Sequence, residues 1–311
     1  MKLSNKIAVR LFIALTAVAA VATGIFRAVL LRKYIDPETG FYVVDTNLDI
    51  VFNIAVVAVV AIIAVAGLMT RKTAPPENLD SRSTVVVFTS ALCAFMYISV
   101  FLYGAYNVIS GLSHNWSYLV ETPPVDAFGE SSPFFVRLLL VLINIAPDVS
   151  SNGILFIIQL LLCIPCCLNH FSICSSEIRE KNTKHSVFAM SEAVFFAFRM
   201  IEVFMDTKSQ INASQRSLTL LLLCSAMLFF LFEADFLVKR DEGGLKSLSK
   251  YFMAGLATLA FPLISVIPYL AVSLFWCYPA GFLVMDILEC CVMLFAVSRL
   301  LTLRAKQAEN E

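Results

Sequence analysis

Two consecutive apolar segments carry most of the ionisable residues that could do chemistry in this sequence. The residues are Glu192, Arg199, Glu202 and Asp206 in the first segment, 186–206, and Glu233 and Asp235 in the second, 217–238. Each segment is long enough to cross a bilayer, which takes about 20 mostly apolar residues. An ionisable group in hydrocarbon costs several kcal/mol unless it is paired or faces a polar cavity. We therefore predict a transmembrane hairpin that holds the functional centre.

Distances in sequence from the predicted span ends place a group of polar residues in the outer half of the membrane. The group consists of Asn53, Gln159, Arg199, Glu202 and Asp286, with Glu289 one helical turn below Asp286. Arginine binds a carboxylate through two hydrogen bonds and stays charged when it is buried. We expect Arg199 to pair with Asp286 and Glu202 at the base of an outward-facing polar cavity. The site would bind a substrate or ion, or else the pairs would only fix helix packing.

Glu192, Glu233 and Asp235 lie nearer the predicted cytoplasmic ends of their spans. Near a span end an acidic side chain can reach the interface, which would leave these residues without a specific function. The alternative is a proton relay, because neighbouring carboxylates disfavour each other's charged form.

Cysteine and histidine patterns give weak signals for metal binding or catalysis. Cys163, Cys166, Cys167, His170 and Cys174 form a helical stripe, but zinc sites usually take ligands from a loop as well as a helix. The three histidines fall in predicted loops or at span ends, which argues against a membrane enzyme with a buried histidine base. The GxxxxGK[ST], HExxH and GxSxG motifs do not occur. We predict no enzymatic activity, no metal and no cofactor.

The composition requires a lipid environment. The 311 residues are 59% hydrophobic and 15% charged, whereas soluble domains have about 25% charged residues. A soluble core of this size could not hide so much apolar surface. The formal net charge is zero, which argues against a nucleic-acid partner. Residues 1–311 are expected to form a single integral membrane domain whose main partner is the lipid bilayer.

Eight apolar segments are predicted to span the membrane as an all-α bundle. They are residues 7–31, 48–69, 85–106, 152–169, 186–206, 217–238, 251–269 and 278–300. Pro262 is expected to bend the seventh span. Residues 134–146 would reach only about 20 Å as a helix, so this segment is expected to be interfacial or re-entrant. A cleaved signal peptide is an alternative for the first span, because Ala17-Val18-Ala19 resembles a cleavage site.

The distribution of lysine and arginine predicts the orientation. With eight spans, a cytoplasmic N-terminus, and Arg137 and Arg199 left aside, 16 of these residues lie inside and 5 outside. If residues 134–146 also spanned, the later loops would change sides and the count would be 8 inside and 13 outside. The positive-inside rule therefore favours eight spans with both termini in the cytoplasm.

Two stretches resemble a group of uncharacterised polytopic membrane proteins of Gram-positive anaerobic bacteria. They are FRAVLLRKYIDPETGFY, residues 26–42, and residues 198–237, which include FRMIEVFMDTKSQINAS and FFLFEADFL. Together with a similar hydropathy profile, the resemblance covers most of the chain. It implies a location in the plasma membrane, and the group has no known activity that could be carried over.

Two functions fit these observations. The first is a non-enzymatic structural, sensing or accessory component, which would need a protein partner or a second copy of the chain. It is favoured because the polar residues are few and mostly pairable. The second is a secondary transporter or channel-like permease for a small solute, with Pro165 and Pro262 allowing the helices to bend. Its outward-facing cavity around Arg199 would be lined by Asn53, Gln159, Glu202, Asp286 and Glu289.

Overall fold

Over the residues that the structure describes, the fold is helical apart from one short pair of strands. The computed structural model describes residues 5–35, 47–70, 76–79, 83–114, 141, 152–175, 182–205, 213–238, 245–276 and 283–305. The helices with described ends are α1 (Asn5–Lys33), α2 (Leu48–Thr70), α3 (Thr84–His114), α4 (Gly153–Cys174), α5 (Asn182–Met205), α6 (Ala213–Val238), α7 (Leu245–Ile264), α8 (Val266–Trp276) and α9 (Leu283–Leu301). The strands β1 (Pro76–Leu79) and β2 (Leu303–Ala305) pair antiparallel, with Pro76 opposite Ala305. The sequence gives no indication of this pair.

Within the described ranges, six helices are long and apolar enough to cross a membrane. They are α1, α2, α3, α4, α6 and the segment that α7 and α8 form together. Such helices fit an integral membrane protein. Helices α5 and α9 are also long, but each carries several charged residues, which lowers its hydropathy. The predicted interfacial segment 134–146 lies outside the described residues except for Val141, which is helical and buried.

Helices α3, α4, α5, α6, α7 and α9 pack in a closed circle, in which each contacts the next and α9 returns to α3. We call this arrangement the six-helix ring. Aromatic side chains fill its interior: Phe229 stacks on Tyr251, and Phe230 stacks on Phe295. Helices α1 and α2 pack against each other and against α7, and α8 packs against α1. Because a helix in the ring turns one face inward, polar residues on that face meet each other rather than lipid.

The outward faces of the helices are apolar. Val18 and Ile25 of α1, Ile54 of α2 and Phe88 of α3 are each more than 60% exposed. Large apolar side chains at such density on a free surface are typical of contact with lipid. The lipid-facing surface and the polar interior together explain why the charged residues of α5 and α9 are tolerated within the bundle.

The apolar segment that α7 and α8 form together is interrupted at Ser265, where α7 ends and α8 begins. Pro262 precedes the interruption and Pro268 follows it. A proline has no N–H to donate to the carbonyl four residues earlier, so each proline removes one helical hydrogen bond. Gly24 of α1 packs here, and a β-carbon at this position would overlap the carbonyl oxygen of Leu263. The backbones of α1 and α7 therefore approach each other closely at the break.

Candidate functional site

The interior of the six-helix ring contains two clusters of polar and ionisable side chains. The Arg199 cluster consists of Gln159 on α4, Arg199 and Glu202 on α5, and Asp286 and Glu289 on α9. The Arg299 cluster consists of Ser90 on α3, Asn169 and His170 on α4, Glu192 on α5, Glu233 on α6, and Arg299 on α9. On α4 and α5 the two clusters are separated by about 10 to 16 Å of helix rise.

In the Arg199 cluster, one carboxylate oxygen accepts two hydrogen bonds. Arg199 Nη1 donates to Glu202 Oε2 at 2.8 Å, and Gln159 Nε2 donates to the same oxygen at 2.7 Å. The first bond joins residues one turn apart on α5, whereas the second joins α4 to α5. Glu202 Oε1 and Gln159 Oε1 are buried and form no hydrogen bond in the described part of the chain. The cluster thus has spare acceptor oxygens.

Asp286 and Glu289 complete the Arg199 cluster from α9. Both carboxylates act electrostatically on Arg199, but neither forms an ion pair with it among the described residues. Glu289 is buried, and Asp286 is half-buried. One guanidinium therefore faces three carboxylates, and the cluster has an excess of acidic groups.

Asn53 does not join this cluster. It lies on an exposed face of α2, which packs against α1 and α7. Asn53 is expected at a similar depth in the membrane to the residues of the cluster, but it lies on a different side of the helix bundle.

The closest ion pair of the Arg299 cluster joins two helices. Arg299 Nη2 lies 2.9 Å from Glu233 Oε1, and both side chains are only 3% exposed. The guanidinium also lies over the ring of Phe295, 5.2 Å from its centre, as in a cation–π contact. The pair therefore holds α9 against α6 in a water-poor environment.

His170 and Glu192 form the second part of the Arg299 cluster. His170 Nε2 lies 3.3 Å from Glu192 Oε1, and both side chains are fully buried. Asn169 Nδ2 donates to the same carboxylate oxygen at 2.5 Å. On the opposite side of the imidazole, Ser90 Oγ lies 2.9 Å from His170 Nδ1. These contacts fix the imidazole between α3 and α5.

Every helix of the six-helix ring contributes a side chain to the Arg299 cluster or its immediate wall. Tyr97 of α3 stacks on His170, with ring centres 5.8 Å apart. Tyr251 of α7 is buried and interacts electrostatically with Glu233 and Arg299. All six helices therefore converge on this cluster.

The structure places several of these residues differently from the sequence analysis. His170, expected at a span end, is fully buried, because α4 continues to Cys174. Glu192 and Glu233, expected to reach the interface, are buried as well. Asp235 is half-buried on α6.

Ser90, Asn169 and Arg299 are the residues of this cluster that were not predicted from the sequence. Arg299 lies at the end of the eighth predicted span, 278–300, and is counted among the cytoplasmic charges. A signal for it exists in the sequence. A buried carboxylate such as Glu233 needs a cation, and few lysines or arginines lie within or next to the apolar segments.

The cysteines of the stripe on α4 contact both neighbouring helices: Cys166 Sγ lies 3.7 Å from Ser191 Oγ of α5, and two others face α3. Cys167 Sγ and Cys174 Sγ contact the carbonyl oxygens of Ala94 and Val87 at 3.7 and 3.5 Å. Among the residues that the structure describes, no group of three or more His, Cys, Asp or Glu side chains could hold a metal ion.

Comparisons with known proteins give no relative: no family model, curated protein or solved structure matches this chain. The resemblance to membrane proteins of Gram-positive anaerobes stays a prediction. The function must therefore be argued from the two clusters themselves.

Proposed function

We propose that this chain is a secondary transporter for a small solute, and that its interior carboxylates bind a proton or a cationic group during the cycle. The observation that carries the proposal is the charge balance of the described part of the six-helix ring. Two arginines, Arg199 and Arg299, face a larger number of carboxylates, namely Glu192, Glu202, Glu233, Asp286 and Glu289.

An excess of buried acidic groups must be compensated, because an unpaired charge in a medium of low polarity costs several kcal/mol. Protons or a bound cation would supply that compensation. A set of purely structural ion pairs would instead be expected to have matching numbers of acids and bases. From the sequence alone, a structural, sensing or accessory component is favoured over a transporter, on the assumption that most of the polar residues are paired. The excess of carboxylates over arginines reverses that order.

The proposed topology has eight spans, a short interfacial or re-entrant segment at 134–146, and both termini in the cytoplasm of a cell whose plasma membrane contains the protein. The lengths of α5 and α9, 24 and 19 residues, support it, since they correspond to about 36 and 28 Å. The charge distribution supports it too. Leaving out buried Arg27 and Arg299, one on each side, changes the count only from 16 against 5 to 15 against 4.

The interruption between α7 and α8 also favours transport. Transporters commonly contain interrupted helices near their binding sites, because a broken helix can bend and exposes backbone groups. Helix α7 lines the six-helix ring and carries Tyr251 beside the Arg299 cluster. A bend at Ser265 would change the angle between α8 and this helix.

Flux through purified protein in sealed liposomes tests the proposal. The liposomes contain a pH-reporting dye, and a potassium gradient with valinomycin sets the membrane potential. Amino acids, small amines and sodium are added one at a time. We expect at least one of them to drive proton movement about tenfold above liposomes that contain the Glu202→Gln/Glu289→Gln protein. Asn53→Leu is the matched control and should behave as wild type. The absence of any protein-dependent proton, sodium or solute flux would overturn the transport proposal.

A structural, sensing or accessory component is the second candidate, because each arginine of the two clusters has one direct carboxylate partner. This reading predicts no flux and a stable complex with another protein or a second copy of the chain. Thermal stability of the purified protein against the same solutes separates the two candidates. A solute that stabilises wild type but not Arg199→Ala indicates a binding site on Arg199. A less stable mutant and no shift with any solute favours the structural role.

A further inference from the structure

His170 occupies the centre of the Arg299 cluster, and its hydrogen bonds limit where its protons can be. Ser90 Oγ donates to the His170 carbonyl oxygen at 3.2 Å and also lies 2.9 Å from Nδ1. A hydroxyl has a single hydrogen, so it cannot donate to both. If the hydrogen goes to the carbonyl oxygen, Ser90 Oγ must accept from Nδ1, and Nδ1 carries a proton.

The other ring nitrogen then determines whether the network is complete. With Nδ1 protonated, a neutral ring has a lone pair at Nε2, and this lone pair faces Glu192 Oε1 at 3.3 Å. Two acceptors facing each other repel. A second proton, on Nε2, turns this contact into an ion pair. The doubly protonated ring is thus the form in which the Ser90, carbonyl and Glu192 contacts all match a donor with an acceptor.

The groups around His170 favour this extra proton as well. Ser90 and Tyr97 face it from α3, Asn169 from α4, Glu192 from α5 and Phe295 from α9. Glu233 of α6 interacts electrostatically with His170, with Arg299 of α9 and with Tyr251 of α7.

Two carboxylates and one guanidinium leave the Arg299 cluster with one excess negative charge. Nε2 makes no hydrogen bond within the described structure and is free to take up the proton that removes this excess. Histidine is also the side chain whose charge normally changes between about pH 5 and 8.

We infer that His170 and Glu192 form an exchangeable proton-binding site, in which a proton from water adds to His170 Nε2 and is released again as the cluster changes. One part of this inference rests on the proposed transport function: the proton bound at His170 is the ion whose movement is coupled to that of the solute. Proton binding and coupling are tested separately, so that the failure of one is distinguishable from the failure of the other.

Proton binding is measured by nitrogen-15 spectroscopy of labelled histidine in nanodiscs. The chain has three histidines, so a His114→Gln/His185→Gln background reports on His170 alone. We expect the neutral ring with a proton on Nδ1 at high pH, and the doubly protonated ring at low pH, over a titration from about pH 9 to 5. In the same background, Glu192→Gln should reduce the doubly protonated fraction at about pH 6 by fivefold or more, because the ring loses its anionic partner.

A His170 signal that stays in one protonation state throughout the titration overturns the inference, as does a titration that Glu192→Gln leaves unchanged. If Glu192→Gln does not fold, Ser90→Ala replaces it. Without the serine oxygen, Nδ1 has no acceptor, and the neutral ring should move its proton to Nε2. An unchanged neutral form in Ser90→Ala would also overturn the inference.

Coupling is measured in the flux assay, with the His114→Gln/His185→Gln protein as the reference. We expect His170→Gln to lower solute-driven proton movement by about tenfold or more, because glutamine cannot take up and release a proton in this pH range. Unchanged proton movement in His170→Gln rejects coupling through His170 and leaves the transport proposal intact. A titrating His170 in a protein without any flux confirms the proton site and rejects transport.

Discussion

The Arg199 and Arg299 clusters each contain one arginine and at least two carboxylates, but the Arg299 cluster is more completely buried. Arg299 and Glu233 are each 3% exposed and belong to different helices, whereas Arg199 is 18% exposed and pairs with Glu202 on its own helix. A pair within one helix does not hold two helices together, although it can orient a side chain. The closed Arg299 cluster is therefore suited to hold the six-helix ring together. The Arg199 cluster can exchange partners at lower cost.

The surroundings of the two clusters support this distinction. Phe295 lies under Arg299 and against His170, so aromatic rings exclude water from that cluster. In the Arg199 cluster, Asp286 is half-buried and free of a direct ion pair with Arg199 in the described structure. Access and spare acceptors are the properties that a solute-binding site needs.

The largest effect is expected from Arg299→Ala. Removal of one partner of a buried ion pair typically costs about 3 to 5 kcal/mol, because the other charge remains buried without compensation. The free energy of unfolding in mixed micelles measures this loss. The double variant Arg299→Met/Glu233→Met is the control and should recover most of the stability. A smaller loss for Arg299→Ala than for Arg199→Ala would break the distinction between the clusters.

Arg199→Ala should have an intermediate effect, about 1.5 to 3 kcal/mol, the usual value of a hydrogen bond to a charged group. The loss is smaller than for Arg299→Ala because the Arg199 side chain is partly exposed and Gln159 still donates to Glu202. The same unfolding measurement checks it. If Arg199→Ala and Arg299→Ala lost the same free energy of unfolding, the burial of the arginine would not determine its contribution to stability.

Double-mutant cycles resolve the partners of Arg199. The Arg199–Glu202 pair should show a coupling energy of about 1 kcal/mol or more, since residues in contact couple by about 0.5 to 3 kcal/mol. The Arg199–Asp286 cycle should give a clearly lower value, because no direct ion pair joins these residues in the described structure. A charge swap of Arg199 and Asp286 should accordingly give little rescue. Strong rescue would indicate that the pair forms in another state of the protein.

The smallest effect is expected from Asn53→Leu. This residue lies on an exposed, outward face of α2, and leucine suits contact with lipid at least as well as asparagine. Stability and flux should both stay at the wild-type level. A loss of flux comparable to that of Glu202→Gln/Glu289→Gln would bring Asn53 back into the Arg199 cluster.

Much of the local structure could be predicted from the sequence. The helical membrane class and six apolar helices are confirmed, because hydropathy and length are properties of single segments. The contact between Arg199 and Glu202 joins residues three positions apart on one helix. Gln159 and Glu202 were expected at similar depths, and a hydrogen bond of 2.7 Å joins them. Each of these features depends only on helix rise and on residues close together in the chain.

The partners around the helix axis were decided by the tertiary structure. Asn53 has the depth expected for the Arg199 cluster but lies on another side of the bundle. Arg299 meets Glu233 because the six-helix ring brings α6 and α9 around one interior, and His170 meets Glu192 because α4 and α5 pack side by side in that ring. Hydropathy and helix rise determine how deep a residue lies in the membrane. The order of the helices, and hence which residues at one depth face each other, depends on packing between segments far apart in sequence.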